Sequence, residues 1–179
     1  MQKNTLIIYA SPKNNSYTKK LLLQVFGDTK GAYFYNCFEE LPHPCTDCGL
    51  CKNENACTFS DLDEFFIEFE RAENIVFAFP VYNCGLPAPL KSLADRFQRF
   101  YNARFCRNVR PPLKGRRKVT VIMTFGSNRS DSEVVLKQLT PLFTISGCTL
   151  DKCYILKNTD NLSLEEDLMP YITINEEKL

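Results

Sequence analysis

No apolar run in this chain approaches the roughly 18–20 residues that a bilayer-spanning helix needs. The 179 residues also carry no marked excess of either charge: 22 Lys and Arg stand against 21 Asp and Glu. That balance removes the electrostatic reason to expect nucleic acid or an anionic membrane as a partner. Histidine is nearly absent. The one residue, His43, lies between Pro42 and Pro44 with no nucleophile motif beside it, which argues against a Ser–His or Cys–His catalytic pair. Glycine-rich phosphate signatures are missing too: there is neither a GxGxxG fingerprint nor a GK[ST] loop. An export signal is not evident, because the apolar start over residues 1–10 is short and lacks a cleavage region. The expectation is a cytoplasmic protein.

What is present reads as one α/β domain over residues 1–179. Apolar residues make up 44% and charged residues 24% of the sequence, enough for a core without staples. Strand-like runs fall at 3–10, 32–36, 75–79, 119–125 and 150–157. The third of them, IVFAF, is continuously apolar, as strands covered on both faces are. Helical spacing appears at 17–26, with Ser16 as N-cap, and at 61–72, 89–101 and 131–146, where Pro141 implies a kink or an early end. The alternation predicts a flavodoxin-like three-layer sandwich: a five-stranded parallel sheet in the order 2-1-3-4-5, with helices on both faces. A short tail follows residue 158, with at most a brief helix over 163–169. Residues 170–179 are expected to serve a neighbouring subunit or to remain mobile.

In such a sheet ligands bind beyond the carboxyl ends of the strands, where strand order reverses. The loop after the first strand, Ser11-Pro12-Lys13-Asn14-Asn15-Ser16-Tyr17-Thr18, runs straight into a helix N-terminus. Its hydroxyls and amides, with the positive end of the helix dipole, suit a terminal monophosphate. The loop after the third strand, Pro80-Val81-Tyr82-Asn83-Cys84-Gly85, offers backbone N–H groups and one aromatic ring to a flat heterocycle. A flavin needs donors at its pyrimidine edge to stabilise the anion formed on reduction, and cover on a face. The loop at 124–128, through Gly126, forms a third wall. Together these read as a site for FMN, although Ser, Asn and Thr are also the residues of ordinary turns.

The segments SPKNNSYT and AENIVFAFPVYNCGLPAPLKSLADRFQRFY resemble the NADPH-dependent FMN reductase and iron–sulfur flavoprotein families. The family pattern is GSPR-x-x-SNT, then a strand ending in sPvY, then a K-x-x-x-DR helix, which Lys91 and Asp95-Arg96 match. Ala10, Lys13, Tyr17 and Phe79 depart from the usual Gly, Arg, Asn and small residue. The resemblance implies an oxidoreductase in which NAD(P)H reduces FMN and the reduced flavin passes electrons to a small molecule or a redox protein. It also implies a homodimer or homotetramer whose subunits complete each other's flavin pockets. Ser11, Lys13, Asn15, Ser16, Tyr17 and Thr18 would hold the phosphate, while residues 80–85 and Gly126 would hold the ring. No group of the protein itself is assigned as a catalytic acid or base.

The nine cysteines, in a chain without an export signal, suggest thiols or metal ligands and not a disulfide framework. Four of them, Cys45, Cys48, Cys51 and Cys57, stand at C-x2-C-x2-C-x5-C in the loop at about 40–60. Four soft ligands at this density suit a [4Fe–4S] cluster, and the placement resembles that of the iron–sulfur flavoproteins. Zinc and metal-free buried thiols remain open readings of the same four residues. Cys37, Cys106, Cys148 and Cys153 read as packing residues, and so does Cys84 despite its place in the flavin loop. The basic stretch Arg104, Arg107, Arg110, Lys114, Arg116, Arg117 and Lys118 reads as a solvated face. Its alternative role is attracting the phosphates of NAD(P)H or an acidic partner. Two rivals to the reductase stand: a flavodoxin-type electron carrier without its own substrate, and a zinc-bearing interaction module that has lost flavin.

Overall fold

The computed structural model describes residues 4–128 and 131–175. Its frame is a parallel sheet built from β1 (Thr5–Tyr9), β2 (Tyr33–Asn36), β3 (Asn74–Pro80), β4 (Arg117–Thr124) and β5 (Cys148–Leu156). A sixth strand, β6 (Ile172–Asn175), pairs antiparallel with β5, so the sheet order is β2-β1-β3-β4-β5-β6. The first five strands follow the order expected from sequence. The sixth was not expected: four residues in a tail are too few to show period-two alternation.

Alternation within the strands divides the core in two. Leu6 and Ile8 of β1, with Ile75, Phe77 and Phe79 of β3, face one side; Ile7, Tyr9, Val76 and Ala78 face the other. Beyond the short helices α2 (Cys37–Glu40) and α3 (Leu50–Asn53), the first side is covered by α4 (Asp63–Arg71), α5 (Ala88–Arg96), α6 (Gln98–Phe105) and α7 (Ser132–Ser146). Aromatic rings fill it. Phe97 lies edge-on to Phe66 and Phe69 at centroid distances of 5.3 and 4.9 Å. Turning Phe97 into this cluster also splits the single helix expected over 89–101 into α5 and α6. Among the described residues the other side has a single helix, α1 (Tyr17–Phe26), whose Leu21 and Leu22 are fully buried.

A strap of residues 157–171 completes that second side where a closing helix would ordinarily lie. Leu168 at its far end is wholly buried with Leu21 and Leu156. The Tyr17 phenol donates to the Leu162 carbonyl, and the Lys20 ammonium donates to the Leu164 and Glu166 carbonyls. Gln24 adds a bond to Asp167 at 2.9 Å. Of residues 170–179, expected to serve a neighbouring subunit or to remain mobile, 170–171 end this strap and 172–175 form β6 within the sheet, while 176–179 lie outside the described residues.

Two further sequence expectations are corrected by packing. Of the kink or early end expected at Pro141, the early end does not occur: α7 runs on to Ser146, with Pro141 and Lys137, whose carbonyl loses its partner, both on the exposed side. In the basic stretch, Arg117 is buried and not solvated, with 2% of its surface exposed. Its guanidinium donates to the carbonyls of Phe69 (2.8 Å), Ser146 (3.0 Å), Glu70 (2.9 Å) and Lys114 (2.9 Å). It thus ties the ends of α4 and α7 to the start of β4, and burial lowers its proton affinity. Replacing Arg117 by Met strands these acceptors, and unsatisfied buried groups cost roughly 1–3 kcal/mol each. We expect a loss of about 3 kcal/mol or more in urea unfolding at unchanged m-value; a loss below about 1 kcal/mol would contradict the clamp.

Candidate functional site

The carboxyl ends of β1, β3, β4 and β5 open onto one cleft of about 300 Å³, at the lower end of the roughly 300–1,000 Å³ usual for small-molecule sites. The first wall is the loop into α1. Ser16 caps the helix in extended geometry, its Oγ accepting from the Lys19 N–H at 3.1 Å. The N–H groups ahead of Lys19 have no intrahelical partner, as at any helix start, and face outward with the positive end of the dipole. Tyr9, buried at the end of β1, fixes the loop from below. Its phenol bonds the Lys13 carbonyl at 3.1 Å and lies 3.0 Å from Ser16 Oγ. Ser11 Oγ donates to Ser16 Oγ at 3.3 Å. Lys13 and Asn15 are left exposed above this base.

Ser11, Lys13, Asn15, Ser16, Tyr17 and Thr18 all line the cleft, and so do Pro80, Val81, Tyr82 and Gly126. The structure thus brings together ten of the residues picked from sequence for the phosphate and ring. Tyr17 contributes its ring alone, since its hydroxyl is committed to the strap. Asn83, Cys84 and Gly85 do not line the cleft. They complete a tight turn in which Tyr82 and Gly85 exchange backbone bonds of 3.2 and 2.9 Å. Asn83 and Cys84 adopt φ of +50° and +57°, the pattern of a type I′ turn. The Cys84 carbonyl accepts from Gln138 Nε2 at 3.1 Å.

Four lining residues come from elsewhere. Thr124 ends β4, inside the third wall read from sequence, and its Oγ1 lies 2.8 Å from Thr18 Oγ1 with both residues buried. Thr159, Asp160 and Leu164 belong to the strap. Their only signal in the sequence is position, directly after the fifth strand, where a loop must pass the same edge of the sheet.

The cysteine loop forms a separate place in the fold. Arg96, 3% exposed, holds it by donating to the carbonyls of His43 (3.0 Å) and Phe59 (2.9 Å) and to Asp61 Oδ1 (2.9 Å). His43 stacks on Phe59 with centroids 3.9 Å apart, which gives the single histidine a packing role. Cys45, Cys48, Cys51 and Cys57 line one cavity together with Arg96 and Arg99. Asn102 Nδ2 donates to Cys51 Sγ at 3.1 Å, and Cys48 Sγ lies 3.0 Å from the Thr58 hydroxyl, which lowers the proton affinity of that thiol. The donor set is that of a soft-metal site. The sulfurs are not drawn together, however: among the described residues no three Cys, His, Asp or Glu side chains are close enough to share an ion. Cys37 and Cys153 are packing residues, buried so fully that their thiols are pushed up to about 12.

Comparison with known proteins agrees with this geometry. A family model described as NADPH-dependent FMN reductase matches residues 4–160. An iron–sulfur flavoprotein of Methanocaldococcus jannaschii is 31% identical over 105 residues, covering 58% of this chain and 50% of the relative. Another, from Methanosarcina thermophila, is 41% identical over 54 residues, 30% of this chain and 28% of the relative. The chain spans about half the length, or less, of the curated relatives it matches. Among solved structures, an NAD(P)H:quinone oxidoreductase from Methanothermobacter marburgensis aligns with a TM-score of 0.66 at 17% identity, over 93% of this chain and 91% of that one. An FMN-dependent NADH-azoreductase from Bacillus anthracis, solved with FMN, aligns at 0.58 and 20% identity, over 93% of both chains. These two likenesses carry the fold.

The Thr18–Thr124 pair joins the first wall to the third, and its replacement separates hydrogen bonding from packing. Thr18→Val leaves the Thr124 hydroxyl buried without a partner, with an expected cost of about 1–3 kcal/mol in chemical denaturation. Replacing both by Val should recover most of that loss. Equal and additive losses would mean that the pair is not coupled.

Proposed function

The chain belongs to the NADPH-dependent FMN reductase family, and from that premise we propose that its cleft binds FMN and that the protein is an NAD(P)H-dependent oxidoreductase. The observation that carries this reading is convergence: the capped N-terminus of α1 and the exits of β3 and β4 line one cleft. A phosphate monoester fits the α1 end, where Ser11, Ser16 and Thr18 bring hydroxyls, Lys13 a cation, and the first turn its free N–H groups. Val81, Tyr82 and Gly126, at the ends of β3 and β4, would hold the ring system. FMN, when bound, accepts electrons from the nicotinamide and releases them to an acceptor, singly or in pairs. The chain's own contribution is positioning: the strap and Tyr82 exclude water from the faces they cover, and Lys13 offsets the charge of the phosphate.

The acceptor, in this reading, is a small molecule or a redox protein, and the working form a homodimer or homotetramer in the cytoplasm. We further propose that Cys45, Cys48, Cys51 and Cys57 hold a [4Fe–4S] cluster. Support comes from four thiols on one cavity beside two arginines, and from the iron–sulfur flavoproteins among the relatives. Their sulfurs must close in to meet a common metal.

Anaerobically purified protein given FMN should acquire the flavin band near ~450 nm and lose it on adding NADPH or NADH. Failure to take up FMN would overturn the reading. Uptake without bleaching by either nicotinamide would make the chain an electron carrier. Iron with a dithionite-sensitive shoulder near ~400 nm marks the cluster; stoichiometric zinc, or no metal, refutes it.

A further inference from the structure

The strap brings one carboxylate to the cleft that the phosphate and ring loops do not account for. The strap leaves β5 and makes three bonds to the exit of β4. Thr159 N and Thr159 Oγ1 donate to the Phe125 carbonyl at 3.0 and 3.1 Å, and Asp160 N donates to the Gly126 carbonyl at 3.1 Å. These bonds lay the Asp160 side chain over Gly126. A methyl group added to Gly126 would meet Asp160 Oδ2 at 2.8 Å and Oδ1 at 2.9 Å. Only glycine therefore lets the carboxylate stand there. Asp160 lines the cleft as an exposed residue, and its carboxylate accepts no hydrogen bond among the described residues.

Position fixes which part of the ligand it meets. The phosphate end is anchored at α1 by Ser16 and its neighbours, and Gly126 lies beyond the exit of β4, at the ring end. Uptake of two electrons and one proton by the isoalloxazine leaves one additional negative charge, concentrated on the pyrimidine edge. A carboxylate at the ring end of the cleft would repel the reduced form more than the neutral oxidised form. Lys13, the cation of the same cleft, sits at the phosphate end and acts on both redox states alike.

We propose that Asp160 is a potential-setting residue: its carboxylate, held over Gly126 by the strap, weakens the binding of reduced FMN relative to oxidised FMN and so makes the bound flavin a stronger reductant. The inference rests on the FMN reading of the cleft and deepens it. A stronger reductant suits an acceptor of low potential, and this links the strap to the class of acceptor the protein can serve.

The experiment is a redox titration of FMN-loaded protein, paired with dissociation constants for oxidised and reduced FMN. Asp160→Asn should tighten reduced FMN about tenfold relative to oxidised FMN, a rise of about 30 mV for the two-electron couple. Asp160→Glu, which keeps the charge, should stay close to wild type. Asp160→Ala provides a second neutral variant should the amide fold poorly, and it should shift in the same direction. Asp151→Asn, an exposed acid at the opposite end of β5, controls for net charge and should leave the potential unchanged. An unchanged or lowered potential in both neutral variants would overturn this inference while leaving FMN binding intact. Failure of the wild type to bind FMN would overturn the reading of the cleft and the inference with it.

Discussion

Two buried threonine hydroxyls, Thr18 in the first turn of α1 and Thr124 at the end of β4, lie 2.8 Å apart. Their contact sets the distance between the helix N-terminus and the neighbouring strand exits, and so the width of the cleft. Such a contact is available only because parallel pairing puts the carboxyl ends of β1, β3, β4 and β5 at one edge. Every polar feature of the site hangs from that edge. The Ser16 cap rests on Tyr9 at the end of β1, Tyr82 follows β3, Gly126 follows β4, and Asp160 follows β5.

The two faces of the sheet are built on different terms. Four helices and a cluster of phenylalanines seal one face, whereas the other has a single helix and a strap. Covering a face with a strap has a functional consequence. A closing helix would satisfy its own backbone and turn away from the strand ends. An irregular segment must find partners for its backbone groups: Tyr17 and Lys20 of α1 donate to this one's carbonyls, and its own N–H groups at Thr159 and Asp160 donate to the Phe125 and Gly126 carbonyls at the exit of β4. Its course therefore runs along the cleft and brings in Thr159, Asp160 and Leu164. The same logic explains Tyr17, which departs from the family's usual Asn: its phenol serves the strap.

Much of this was legible in the sequence, and the reason is local chemistry. Helix α1 was legible because Ser16 caps its start and its apolar positions keep helical spacing up to Phe26. Strand β3 declared itself by a continuous apolar run, and the phosphate and ring loops by their place after strands. Features set by distant contacts were hidden. Arg117 looks like the arginines around it, and only the carbonyls of Phe69, Glu70 and Ser146, each 29 or more positions away, make it a core residue. The break at Phe97, the strand β6 and the burial of Leu168 likewise depend on surfaces that no local pattern encodes. The cysteine loop is the converse case. Its spacing suggests a shared metal and the fold gathers all four residues around one cavity, yet among the described residues no three such side chains are close enough to share an ion.

The central claim is that the cleft is a phosphate-anchored flavin site, and that claim is tested most directly by comparing FMN with riboflavin in equilibrium titrations of the anaerobically purified, flavin-free protein. The two ligands share the ring and the ribityl chain and differ only in the phosphate. With two or more charge-assisted bonds at the α1 end, each contributing roughly 1.5–3 kcal/mol, riboflavin should bind about a hundredfold more weakly or worse, and added salt should narrow the gap. Equal affinities for the two ligands would contradict the account.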